Sequence, residues 1–185
     1  GGIAIVYMYV AYAIMSGTEE ALRRVYKAKN RSLDKASGVV ANLRTHEEAQ
    51  ILTDDAKKIV RTIVEKYDLP LSVIAPFKKD HPLMKRLSPF LMSMATKDDT
   101  VNFLLNSGSL RDHISELSLA HNIPLIASSA NLSQHGTKYR AEDIEPEIRA
   151  AADIIIDYGP STYMENGLAD DYNLSSTQID FRTMR

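Results

Sequence analysis

Four basic side chains fall within nine residues, Lys27, Lys29, Arg31 and Lys35, in the stretch Lys-Ala-Lys-Asn-Arg-Ser-Leu-Asp-Lys. Cations converging on one point neutralise a phosphate or carboxylate through charge-assisted hydrogen bonds. The same cations also suit a plainer role at a helix end, where they complement the negative end of the dipole. One hundred residues on stands Ile126-Ala-Ser-Ser-Ala-Asn-Leu-Ser133. Small hydroxyls and free amides at the carboxyl end of a strand suit phosphate oxygens. Alone, Ser128-Ser129-Ala130-Asn131 suits a turn or cap equally well. Ser175-Ser176-Thr177 is a third short hydroxyl-bearing stretch. His46, His81, His113, His121 and His135 show no metal-ligand spacing with each other or with carboxylates, so no metal site is expected. Neither a Gly-x-x-x-x-Gly-Lys-Ser/Thr loop nor Gly-x-Gly-x-x-Gly occurs. Tyr7, Tyr9 and Tyr12 carry rings that stack on a base or fill a core.

These residues need elements to position them. Leu22, Val25 and Tyr26 recur at helical spacing after Thr18, an N-cap residue, and Glu20. The pattern breaks at Asn30, Ser32 and Asp34, so the cations sit on the last helical turn and the loop beyond it. Ile3–Val6 reads as a buried strand running into a loop through Met15. Strands are expected at 38–42, 71–75, 91–95, 100–105, 124–127, 152–156 and 176–179. Helices are expected from Thr53 or Asp54 to Lys66, over 110–120 and over 142–152, with a brief turn from Thr45 to Ala49. In the 110–120 helix Leu110, Ile114, Leu117 and Leu119 form the apolar set, and the 152–156 strand reads as buried. A polar loop fills 160–173. Strands alternating with helices define a single α/β domain over residues 1–185 with a mixed sheet.

The chain has 185 residues, 44% hydrophobic and 25% charged, ordinary values for a globular protein with a real core. It has no cysteine, which excludes disulfides, thiolate zinc sites and a cysteine nucleophile and suits a reducing, cytoplasmic setting. The apolar start is too short to span a bilayer and lacks a signal peptide's basic region, so no membrane partner is expected. Net charge is −2, unlike a protein that coats nucleic acid. Its distribution is uneven. Residues 1–97 carry 16 Lys+Arg against 10 Asp+Glu, a balance of +6; residues 98–185 carry 6 against 14, a balance of −8. A positive half suits an anionic ligand, and also fits a dipolar surface with no partner.

In order and spacing these pieces resemble the YrdC family, the threonylcarbamoyl-adenylate synthases. The resemblance rests on Gly2-Ile-Ala-Ile-Val6, Val25-Tyr-Lys-Ala-Lys-Asn-Arg31 with Lys35, and Ser129-Ala-Asn-Leu-Ser133. Asp153-Ile-Ile-Ile-Asp157-Tyr-Gly159 and Ser176-Thr-Gln-Ile-Asp180 support it. It implies a twisted mixed sheet with flanking helices enclosing a basic cavity. It also implies a reaction joining threonine, bicarbonate and ATP into threonylcarbamoyl-adenylate, with ATP as substrate and Mg2+ accompanying it. A partner enzyme then moves the threonylcarbamoyl group to a tRNA adenosine. By the same resemblance Lys29 and Arg31 face phosphates and carboxylate as the catalytic pair. Lys35, Ser129, Asn131 and Ser176 bind the nucleotide, and Tyr12 lies on the substrate side.

The chain departs from the family's pattern in defined places. The segment Pro-Thr-Asp/Glu-Thr-x-Tyr-Gly-Leu reads Tyr7-Met8-Tyr9-Val10-Ala11-Tyr12-Ala13-Ile14, keeping only Tyr12. Met8 and Val10 stand where threonines hold the substrate threonine, so threonine should bind weakly, and restoring both threonines should recover some affinity. Ser32 replaces a proline, Lys35-Ala36-Ser37 replaces Lys-Pro-Leu, and Leu104 stands in a strand that carries arginine in the family. Two functions follow. One is an adenylate-forming enzyme, in which loss of Lys29 or Arg31 weakens nucleotide binding and leaves stability nearly unchanged. The alternative is a non-catalytic module of the same fold that binds double-stranded RNA or a nucleotide.

Overall fold

The structure is a computed structural model that describes residues 1–165 and 175–182. Its elements run β1 (Ile3–Val6), β2 (Ala13–Ser16), α1 (Glu19–Ala28), β3 (Gly38–Val40), α2 (Leu43–Ala49), α3 (Asp54–Arg61), β4 (Leu71–Pro76) and α4 (Pro89–Ala95). They continue with β5 (Thr96–Lys97), β6 (Thr100–Leu105), α5 (Ser109–His121), β7 (Ile126–Ser129), α6 (Pro146–Ala151), β8 (Ile154–Ile156), α7 (Thr162–Glu165) and β9 (Thr177–Asp180). A π-helical turn, Thr62–Lys66, extends α3. This is a mixed α/β fold with flanking helices, and the chain folds as two compact units.

The first unit comprises Gly1–Lys35 and Ile126–Ser175. Its strands β1 and β2 are antiparallel, from Ile3 opposite Ser16 to Val6 opposite Ala13. β8 runs parallel to β1, and β7 is antiparallel to β2 with Ser129 opposite Ala13. That register brings the carboxyl end of β7 beside Tyr12, where the Ala130 amide donates to the Tyr12 carbonyl at 2.9 Å. Helix α1 is capped by Thr18, whose hydroxyl accepts from the Ala21 amide, and buries Ala21, Leu22, Val25 and Tyr26 as their spacing requires.

The second unit comprises Ala36–Leu125 and Ser176–Arg185. Here β6 runs parallel to β3 and antiparallel to β4 and β5, and β9 is parallel to β4. Gly38 is required by close approach: a Cβ there would lie 2.5 Å from Leu104 Cγ.

Several sequence expectations are corrected. Residues 91–95 are helical within α4, because Ser88 caps the helix and Pro89 occupies its first turn, so the apparent alternation was the short apolar face of a helix. The turn expected from Thr45 is a full helix, capped three residues earlier by Asn42, whose side chain accepts from the Thr45 amide. Within the stretch expected as a loop through Met15, Ala13–Ser16 form a second strand, β2, hidden because it is buried on both faces. The helix expected from Glu142 starts at Pro146, in its first turn. The 152–156 strand is three residues long and not buried: Ile154 is 55% exposed. In α5 the buried residues are Arg111, Ser115 and Ser118, whereas Leu117 is 58% exposed. Within the polar loop expected over 160–173, residues 162–165 form α7, and 166–173 lie outside the described residues.

Candidate anion site

Helix α1 ends because Asn30 takes a left-handed conformation (φ 47°), which asparagine tolerates, and the chain reverses. Lys29, at the C-cap, is thereby turned inward and is only 1% exposed. Its ammonium donates to the main-chain carbonyls of Ser129 and of Asn131, the latter at 2.5 Å. The Ser133 amide returns a bond to the Lys29 carbonyl at 3.0 Å. Lys29 therefore braces the Ser129-Ala130-Asn131 turn from within, and the solvated reading of this cation is set aside. An ammonium has three N–H bonds, so one is left for another acceptor. Burial, then the neighbouring Arg31, push the Lys29 pKa from 10.5 down to about 8, with Glu145 opposing.

Around this brace the other expected residues take distinct positions. Arg31 is half-buried, its guanidinium 5.5 Å from the centre of the Tyr26 ring. The Tyr26 hydroxyl donates to the Lys35 carbonyl at 2.7 Å and fixes the loop, while the Lys35 side chain is exposed. Ser129 is exposed. Asn131 is buried; its Nδ2 donates to the Leu132 carbonyl at 2.6 Å, and its Oδ1 has no hydrogen-bond partner among the described residues. Ser176 belongs to the second unit, half-buried just before β9. Lys29, Arg31, Lys35, Ser129, Asn131 and Tyr12 all belong to the first.

Sequence reasoning missed Glu145. Its Oε2 accepts from the Leu132 amide at 3.2 Å, and its Oε1 lies 3.0 Å from Lys138 Nζ and 3.5 Å from His135 Nδ1. Burial raises its pKa, but the Lys138 and Leu132 hydrogen bonds outweigh that and hold it below the usual carboxylate range. Glu145 thus ties down the loop after the turn. No spacing marked it, because its partners lie in an irregular loop.

Tyr12 is buried, and its hydroxyl donates to Asp157, with the Gly159 carbonyl also within 2.7 Å. Burial and then Asp157 push the Tyr12 pKa up, and the same bond lowers that of Asp157. Tyr12 is thus a fixed neutral donor. Tyr7 meets the Tyr12 and Tyr158 rings edge to face. Beside it Val10 and Ala11 pack with Tyr139, Tyr163 and Met164. Among the described residues no three of His, Cys, Asp or Glu group as metal ligands, and no helix is long and apolar enough to cross a membrane.

Together these features define a mixed α/β protein with a lysine-braced turn at the end of a strand. A family model, Sua5_yciO_yrdC, described as "Telomere recombination", matches residues 1–168, and the chain belongs to this Sua5/YciO/YrdC family. No curated protein sequence matches the chain. Among solved structures, a hypothetical protein from Streptococcus mutans UA159 is similar, with TM-score 0.79, 20% identity and coverage of 95% of this chain and 69% of that one. P. abyssi Sua5 is similar with TM-score 0.69 and 17% identity over 97% of this chain and 47% of that one. A full-length HypF gives TM-score 0.64 and 13% identity over 97% of this chain and 21% of that one. The chain thus spans about half the length of that Sua5 and a fifth of HypF. At these identities the likeness concerns the fold.

Proposed function

We propose that the protein binds ATP at the braced turn and forms a carbamoyl- or acyl-adenylate, as the threonylcarbamoyl-adenylate synthases of its family do. One observation carries this reading: the buried Lys29 ammonium holds the Ser129 and Asn131 carbonyls and keeps an N–H to spare beside Arg31. Attack of a carbamate oxygen on the α-phosphorus, with pyrophosphate leaving, builds negative charge on phosphate oxygens. Fixed cations stabilise that charge without a protein nucleophile. The unpaired Asn131 Oδ1 suits a nucleotide hydroxyl or amino donor. The Sua5 structure was determined with L-threonine and the HypF structure with phosphate and nucleotide, which supports small-molecule and nucleotide ligands for this fold. Mg2+ enters on the ATP phosphates in this reading. Lys35 contributes from the loop, and Tyr12 positions the substrate side. A cytoplasmic partner enzyme consumes the adenylate in modifying tRNA.

The test is pyrophosphate release from ATP and bicarbonate with each amino acid in turn. Release with one amino acid supports the enzyme, and release with none sinks it. The second reading is the RNA-binding module. It is favoured by a surface groove of about 340 Å³ beside α1, lined by Arg23, Tyr26, Lys27, Asn30, Arg31 and Leu33. Cations interleaved with an aromatic ring suit a nucleic-acid backbone. Salt-dependent binding of double-stranded RNA in the absence of pyrophosphate release would favour this reading.

A further inference from the structure

The second unit buries a cation that the reading above does not use. Helix α5 turns Arg111, Ser115 and Ser118 inward. The Ser115 hydroxyl donates to the Arg111 carbonyl at 2.9 Å, and that of Ser118 to the Ile123 carbonyl at 2.6 Å, so both serines are satisfied by main chain. Arg111 is 0% exposed, and none of its Nε, Nη1 and Nη2 atoms has a hydrogen-bond partner among the described residues. The acids nearby do not resolve this. Asp112 is the next residue along the helix, and adjacent residues do not face each other. Asp68 is engaged by the Asn106 side chain at 3.0 Å. The N-cap of α5 is Gly108, which supplies no capping side chain, so the first amides of the helix lack a side-chain acceptor too.

An ionised guanidinium shut away without an acceptor is strongly unfavourable, and arginine does not escape by losing its proton. Its planar fork of N–H donors matches the two oxygens of a phosphate or carboxylate. We infer that Arg111, with the uncapped first turn of α5, is a binding site for a small oxyanion, separate from the Lys29–Arg31 site.

The experiment is thermal unfolding of the wild-type protein and of Arg111→Met, Arg111→Lys and Arg31→Ala. Each is equilibrated in sodium chloride, sodium phosphate or sodium acetate at matched ionic strength. The wild type and Arg31→Ala should gain a saturable shift in phosphate, roughly 5–10 °C at a hundred times the apparent dissociation constant. Arg111→Met, made in the Arg31→Ala background so that the Lys29–Arg31 site is weakened in both, should show no shift beyond chloride, and in chloride should melt no lower than Arg31→Ala, since it removes an unpaired charge. If Arg111→Met does not fold, Arg111→Lys decides: a smaller saturable shift supports the site, and an undiminished one overturns it. A shift with acetate in place of phosphate supports the same site and names its ligand a carboxylate. The inference fails if neither anion gives a saturable shift, if Arg111→Met keeps it, or if Arg31→Ala loses it. The last result would assign the anion to the Lys29–Arg31 site. A destabilised Asp112→Asn together with an anion-independent wild type would show instead that Asp112 is the partner of Arg111.

Discussion

Replacing Lys29 by methionine separates the two things this side chain does. Met keeps the length and removes the ammonium, so the carbonyls of Ser129 and Asn131 lose their donor. A buried acceptor left unpaired costs about 1–3 kcal/mol. Asn131 is buried and bears that in full, whereas exposed Ser129 recruits water and bears less. Against this stands the cost of burying the charge. A pKa lowered from 10.5 to about 8 corresponds to about 3 kcal/mol of disfavoured ammonium. The two effects nearly cancel, so stability should move by less than about 2 kcal/mol. Nucleotide binding has no such offset and should weaken by about 1.5–3 kcal/mol, roughly ten- to 150-fold. The pH dependence is the sharper assay. Between pH 8 and 10.5 the unfolded chain holds the Lys29 proton and the folded chain does not, so stability rises with pH across that window. Below pH 8 the full penalty is present. Denaturant unfolding should therefore show wild type gaining about 3 kcal/mol on Lys29→Met from pH 8 to 10.5. A difference between the two that stays flat across this window would refute the account of Lys29 as a desolvated ammonium.

Three further outcomes are expected. Arg31→Ala should weaken ATP binding about tenfold by calorimetric titration, while costing no more than about 1 kcal/mol of stability for the lost contact with the Tyr26 ring. Glu145→Gln removes a charge that holds the Lys29 pKa up, so the midpoint at which ATP affinity falls with rising pH should move lower; an unmoved midpoint in titrations over pH 7–9 would count against their coupling. Val10→Thr places a hydroxyl among Ala11, Tyr139, Tyr163 and Met164, so it should lower stability by about 1–3 kcal/mol and add no threonine binding by titration. A gain in threonine affinity would show that a polar pocket persists there.

Legibility in the sequence followed the physics of each segment. Helix α1 was readable because Thr18, the acidic first turn and the Leu22–Val25–Tyr26 stripe agree. Lys29 and the Ser129–Asn131 turn were singled out by residue type, but not the bonds between them. A lysine one residue past a helix looks solvated until the chain reversal at Asn30 turns it inward. Burial of Lys29 also changes the expectation that its loss leaves stability untouched, into one in which two sizeable effects oppose each other. Arg111 misled for a related reason. Periodicity assigns the inward face of a helix to its leucines, yet in α5 small serines allow close packing and the arginine is carried in with them. Strand β2 was invisible because a strand buried on both faces has no alternation.

The segment from Tyr7 to Tyr12 shows how one side of the site changes while the other holds. Its links to neighbouring chain are largely main-chain bonds. The Tyr12 amide donates to the Lys138 carbonyl at 2.9 Å, the Ala130 amide to the Tyr12 carbonyl at 2.9 Å, and the Tyr163 amide to the Tyr9 carbonyl at 3.0 Å. Main-chain bonds make no demand on the side chain at positions 8 and 10, so Met8 and Val10 leave the backbone that supports the Ser129–Asn131 turn in place. Tyr12 is different, because its hydroxyl is committed to Asp157 and Gly159. Any other residue there would remove the bond that ties the β2 end to the loop after β8. The segment therefore keeps the side chain that its own hydrogen bonding uses, while Met8 and Val10 are buried and answer only to apolar packing. Under the proposed function, Met8 and Val10 are the positions at which substrate choice diverges, and the main-chain bonds that support the lysine-braced turn do not depend on them.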